Sequence, residues 1–175
     1  MCKIYMIQQL SHKLYKLGVP VLPKLIYYFL RFTFTTSVPW TVTVGRGTRF
    51  NNYGMGIVVH RRVAIGENCM IGQHVTIGGR SGHEEVPVIG NNVFVGVGAK
   101  VLGPIKVGDH AVIGANAVVI HDVPSRAVVA GIPARIIKSK SAAAKMPQHG
   151  DRPLVAEFLC AEKPCNEGSD PMLQR

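Results

Sequence analysis

An aliphatic residue recurs every six positions through the middle of this chain. Val59, Ile65, Ile71 and Ile77 are six apart, and so are Ile89, Val95, Val101, Val107, Ile113 and Val119. Glycine follows the aliphatic at Gly66, Gly72, Gly78, Gly90, Gly96, Gly108 and Gly114. Four places after the aliphatic sits a small or β-branched residue, as at Cys69, Val75, Val93, Ala99, Ile105, Ala111 and Ala117. A helix repeats near 3.6 and a strand near 2, so a sustained period of six is neither. It is the pattern of a parallel β-helix of hexapeptide repeats, in which one short strand and one turn are stacked on the next. The aliphatic fills the interior, and the glycine supplies a turn conformation that a side chain would obstruct.

The period breaks twice. Phe50 to Val59 spans nine residues, so RFNNYGMGIV contains an insertion. GGRSGHEEVP (Gly78 to Pro87) then fills inward positions with polar residues, yet Ile77 to Ile89 is twelve, two whole repeats. The phase survives while the sequence leaves the core, which predicts an extruded loop returning to the same stack. Loops on a rigid scaffold are where chemistry is expected. The repeats end near Val119, and DVPSRAVVAGIPARIIK supplies closing strands.

Three segments follow. Residues 1–40 form a helical cap or membrane-surface segment, 41–138 the β-helix domain, and 139–175 an irregular tail. Within the first, residues 4–17 read as an amphipathic helix with Tyr5, Leu10, Leu14 and Leu17 near one face. A second apolar segment runs from Leu22 to Phe34. Lys24 and Arg31 interrupt it, and about twenty apolar residues are needed to cross a bilayer. The pair either caps the open end of the stack, a strand edge that needs cover, or lies on an anionic membrane. The tail carries Cys160 and Cys165, which suggest no role, and a short helix is expected near Leu154 to Cys160.

The formal net charge is +10. Such a chain attracts anionic membrane or phosphorylated ligands; no motif or aromatic-interleaved basic run points to nucleic acid. The start, MCKIYMIQQLSHK, lacks the apolar core and cleavage site of a signal peptide. Four scattered cysteines show no disulfide framework, and Cys69 reads as a packed thiol. The expected setting is cytoplasmic, with contact at the inner face of the membrane left open.

Seven histidines are candidates for acid–base work. His74 and His110 occupy the outward middle of a hexad, where a solvated residue is ordinary. His60 differs: it stands after the aliphatic where other repeats mostly carry glycine, directly after the irregular NNYGMGIVV stretch. We therefore take His60 as the candidate general base. His83 lies in the loop beside Glu84 and Glu85, either as a second imidazole and acceptor contact or as part of a solvated charged loop. No cysteine sits in that loop, so direct transfer is expected over an acyl-cysteine intermediate.

The segments GIVVH, VTIGGRSG, VGAKVLGPIKVG, IGANAVV, DVP and AGIPAR resemble the hexapeptide-repeat acyltransferases with a left-handed β-helix. They are most similar to serine acetyltransferases and to related O-acetyltransferases of surface polysaccharides. The resemblance implies acetyl-CoA as co-substrate, no metal, a homotrimer with the cofactor between neighbouring β-helices, and a small-molecule or sugar acceptor. It places backbone N–H groups of Gly78 and Gly79 near the thioester carbonyl. Lys100 and Arg135, in segments matching the family's GAK (with Ala99) and IPAR, fall near CoA phosphates, the alternative being surface charge. In serine acetyltransferases a catalytic histidine preceded by aspartate stands before the GIVV-like segment; here Asn52 and Tyr53 hold those places and become acceptor-orienting candidates. A second family histidine, followed by proline, corresponds to Val86 before Pro87.

The leading expectation is a serine O-acetyltransferase-like enzyme. Sugar O-acetylation is the first alternative, favoured by the short N-terminal segment. A non-catalytic trimeric scaffold that binds acetyl-CoA is the second. A zinc site of His60, His74 and His83 would need three imidazoles at one point.

Overall fold

The period of six folds into fourteen short strands in a computed structural model that describes residues 3–19 and 21–139. They stack on three faces. Face one holds β1 (Thr43–Val44), β4 (Ala64–Ile65), β7 (Val88–Ile89) and β10 (Lys106–Val107). Face two holds β2 (Arg49–Phe50), β5 (Met70–Ile71), β8 (Phe94–Val95), β11 (Val112–Ile113), β13 (Ala127–Gly131) and β14 (Ala134–Ser139). Face three holds β3 (Val58–Val59), β6 (Thr76–Gly78), β9 (Lys100–Leu102) and β12 (Val118–Val119). Every pairing is parallel except β13 with β14, an antiparallel hairpin that closes the stack.

The predicted aliphatics are the inward ones. Ile71, Ile77, Val95, Val101 and Ile113 are fully buried, and each strand turns its other side chain outward. A single coil cannot bury such residues; its neighbours do, at about 1.5–3 kcal/mol per side chain. The phase is kept across the extruded loop. Pro87 returns the chain to the interior, and Ile89 pairs with Ile65 below and Val107 above.

The repeat glycines have a different cause from the expected one. Those following the aliphatic at 66, 72, 90, 96, 108 and 114 do not adopt left-handed backbone angles. The left-handed corners come two residues later, at Asn68, His74, Asn92, Gly98, His110 and Asn116. Glycine is needed because the next coil passes directly behind it: a Cβ on Gly72 would lie 2.7 Å from Val97 N, and one on Gly96 2.6 Å from Ala115 N.

Two helices, α1 (Lys3–Lys16) and α2 (Val21–Phe34), pack against each other beside the first coil. α1 turns only part of the predicted face inward: Tyr5 packs on the core and Leu14 is half-buried. Gln8 and Ser11 are buried, whereas Leu10 and Leu17 are exposed. The reason is the strand edge, whose main-chain oxygens need donors. Gln8 Nε2 donates to Val42 O (3.0 Å), Gln9 Nε2 to Val44 O (2.8 Å) and His12 Nδ1 to Trp40 O (2.7 Å). α2 buries Pro23 and Leu30, sets Tyr27 edge-on to Trp40 at 5.6 Å, and joins Tyr27 Oη to Ser37 Oγ at 2.9 Å. No described helix is long and apolar enough to cross a membrane. The helix expected near 154–160 lies outside the described residues, as do Cys160 and Cys165.

Candidate active site

The two breaks in the repeat emerge at different corners of the three-sided stack. The 51–56 segment lies between faces two and three, and the 78–87 loop between faces three and one. Face three separates them.

At the first corner Asn51–Gly54 form a 3₁₀ turn in which Asn52 and Tyr53 take φ of 46° and 54°. Left-handed angles cost a non-glycine residue about 1–2 kcal/mol, so something must hold them. Thr36 Oγ1 donates to Gly54 O (2.7 Å), Gly56 N–H donates to Thr35 Oγ1 (3.2 Å), and His74 N–H donates to Met55 O (2.9 Å). Phe34 stacks on the exposed Tyr53 ring, centroids 6.1 Å apart. Lys100 also reaches this corner, where its ammonium donates to His74 O (3.0 Å) and Gly98 O (2.8 Å). Ala99 is fully buried; its N–H donates to Gly96 O and its carbonyl accepts from Thr76 N–H. It offers a ligand no side-chain contact.

The second corner gathers most of the other candidates. His60 N–H donates to Ile77 O at 2.8 Å, which places the imidazole's turn directly beside Gly78. His60 Nδ1 accepts from Arg62 N–H at 3.3 Å, so the neutral ring carries its proton on Nε2. The basic nitrogen is therefore Nδ1, held by a long, exposed and easily opened bond. The Arg62 guanidinium donates to Glu84 O and ties the His60 turn to the loop. Glu84 and Glu85 line a cleft of about 380 Å³ with Arg62, Val86, Val88 and Lys106. His83 is exposed on the same loop, in a turn closed by its N–H on Arg80 O (3.1 Å). Gly78 ends β6, and a Cβ there would meet nothing within 4 Å; Gly79 is exposed just beyond the ladder.

Arg135 stands apart on β14, exposed beside a second cleft with His121 and Asp122. One chain therefore assembles His60, Gly78, Gly79, Glu84 and Glu85, with His83 on the same loop, but not Asn52, Tyr53 or Lys100. His74 belongs to the other corner from His60 and His83, so the three do not converge. Among the described residues no three His, Cys, Asp or Glu side chains could hold a metal ion. Arg62 and Phe34 are the neighbours that pattern reading passed over, and His74 one that it read as an ordinary solvated residue. One turn is three hexads, and counting eighteen residues from Gly56 to His74 would have found the last of them.

Residues 87–121 match the model of bacterial transferase hexapeptide (six repeats), and residues 62–88 that of the hexapeptide repeat of succinyl-transferase. A serine acetyltransferase of Synechococcus elongatus is 40% identical over 131 residues, 74% of this chain and 53% of that protein. A solved serine acetyltransferase in complex with cysteine superposes with a TM-score of 0.73 at 33% identity, covering 80% of this chain and 55% of the other. The serine acetyltransferase of Brucella abortus in complex with coenzyme A gives 0.72 at 34% identity, covering 79% and 56%. The chain spans little more than half the length of these relatives. The chain carries the hexapeptide repeat of bacterial transferases and is similar to serine acetyltransferases in both sequence and fold.

Proposed function

We propose that this protein transfers acetyl from acetyl-CoA to the hydroxyl of L-serine. The observation that carries the acceptor is the cleft lined by Arg62, the residue whose main-chain N–H donates to His60 Nδ1. It presents Glu84 and Glu85 together with Arg62 and Lys106 over an apolar floor of Val86 and Val88. Two carboxylates and two cations lining one cleft match the ammonium and carboxylate of a free amino acid. The solved relatives in complex with cysteine and with coenzyme A support an amino-acid acceptor and an acetyl-CoA donor.

His60 Nδ1 accepts the hydroxyl proton once its bond to Arg62 N–H opens. The hydroxyl oxygen attacks the thioester carbonyl carbon, and the Gly79 N–H faces the oxyanion that forms. The C–S bond then breaks, and the thiolate takes the proton from the imidazolium to leave as free thiol. A homotrimer brings the partner subunit's Tyr53 corner against this one, which completes the acceptor site with the residues that one chain holds apart. Lys100 and Arg135 are the cations that meet CoA phosphates.

The test is thiol release from acetyl-CoA with L-serine, with sugars and with no acceptor, for wild type and His60→Ala. Serine-dependent release is expected, falling roughly 10²–10⁴-fold in the variant at unchanged acetyl-CoA affinity. Equal rates for the two proteins would remove His60 as base. A second reading, a sugar acceptor, has its own support: the exposed Tyr53 ring backed by Phe34 offers a flat apolar face of the kind pyranose C–H groups pack on. Release with sugars alone would select it, and acetyl-CoA binding without release to any acceptor would leave a scaffold.

A further inference from the structure

α1 and α2 spend their inward faces on the first coil and leave apolar stripes facing out. On α2, Leu22, Leu25, Phe29 and Phe32 follow the spacing of one helical face, and all four are exposed, Phe32 at 93%. On α1, Leu10 and Leu17 stand out in the same way, Leu17 at 76%. Single exposed leucines are ordinary, but a four-residue apolar stripe on α2, packed beside a helix with exposed leucines of its own, marks an interaction surface.

We propose that this surface docks on an anionic lipid bilayer, lying in the interface and not crossing it. Charge decides the occupant. No aspartate or glutamate occurs before Glu67, while the two helices carry Lys13, Lys16, Lys24 and Arg31. A second copy meeting this face symmetrically would bring cations against cations, with no carboxylate in the segment to pair them. A sheet of anionic headgroups pairs them all. Lys24 and Arg31 lie beside the α2 stripe, and Arg31 keeps its guanidinium exposed in a bond to Tyr27 Oη (3.1 Å), so both charges can reach headgroups. Neither helix has the length to span a bilayer. The proposal is independent of acetyl transfer, because none of these side chains belongs to the cleft at His60.

The experiment is flotation of the full chain with vesicles of phosphatidylcholine alone and of phosphatidylcholine mixed with phosphatidylglycerol. Flotation is expected on the mixed vesicles only, weakening as salt is raised. Lys24→Gln with Arg31→Gln should weaken partitioning by about 25-fold, from roughly fivefold per cation near the surface. Phe29→Ser with Phe32→Ser should abolish it at unchanged thermal unfolding, since neither side chain is packed inside. Failure to float on anionic vesicles overturns the proposal, as does flotation of the Phe29/Phe32 variant equal to wild type. Sedimentation of the same variant provides the other decision: loss of a stable oligomer without any vesicle binding assigns the face to a second copy.

Discussion

The imidazole of His74 lies over Gly56, so closely that a methyl group on Gly56 would overlap ring atom Nδ1. The contact joins a left-handed corner of the second coil to the strained 51–56 segment of the first. Gly56→Ala therefore meets two penalties, its φ of 65° and the ring. Denaturant unfolding should show a loss of about 1–3 kcal/mol, and His74→Ala in the same chain should restore the steric part. A coupling of at least about 0.5 kcal/mol in the double-mutant cycle is the expected signature. Additive effects would mean that the ring gives way freely.

Gly72 and Gly78 occupy equivalent places in consecutive repeats but differ in what lies behind them. Gly72→Ala presses on Val97 backbone and should cost about 1–3 kcal/mol, read as a lowered denaturation midpoint. Gly78→Ala meets open space and should unfold like wild type. If a ligand approaches the main chain there, turnover should still fall for Gly78→Ala. Full activity in that variant would move the thioester elsewhere.

Gln8 is the buried member of the α1 grip. Gln8→Ala leaves Val42 O without its donor inside the protein, at a cost of about 1–3 kcal/mol. Gln9→Ala removes a bond to Val44 O from a half-buried side chain and should cost less. Guanidinium unfolding of the two variants checks the order.

The Cys69 thiol is buried, with Sγ donating to Gly90 O at 3.1 Å. Burial pushes its pKa above the ordinary 9.0, hydrogen bonds opposing in part. The unfolded chain thus releases this proton first. Stability from this group is intact below 9.0 and declines as pH rises through the folded value. Replacing Cys69 with alanine should flatten the alkaline slope of stability measured by denaturant titration; an unchanged slope would contradict the assignment.

How far the fold was legible depends on which forces repeat. Ile71, Ile77 and Val95 could be placed inside from spacing alone, because each coil presents the same demand to its neighbour. The loop's return at Pro87 was legible for the same reason, twelve being two hexads. α1 was not. Apolar periodicity puts Leu10 and Leu17 inward, but the end of a stack asks for hydrogen-bond donors, and Gln8, Gln9 and His12 answer it. The site was half legible. His60 beside Gly78 follows from one turn of register, whereas the separation of Tyr53 from His83 depends on which corner each break leaves from. The bond between Arg62 and Glu84 depends on how the loop folds back, which no period encodes.

The grip of α1 on Trp40, Val42 and Val44 touches only carbonyl oxygens, groups that every residue carries. The hydrogen bonds of α1 to the first coil are thus written in main chain, and the side-chain contacts of the seam fall to α2, where Tyr27 meets Trp40 and Ser37. Oxygens at alternate positions of a first coil meet the α1 donors whatever side chains stand between them. Whole turns can be inserted or removed further along without refitting the lid, so the stack is free to change length while its closure stays the same.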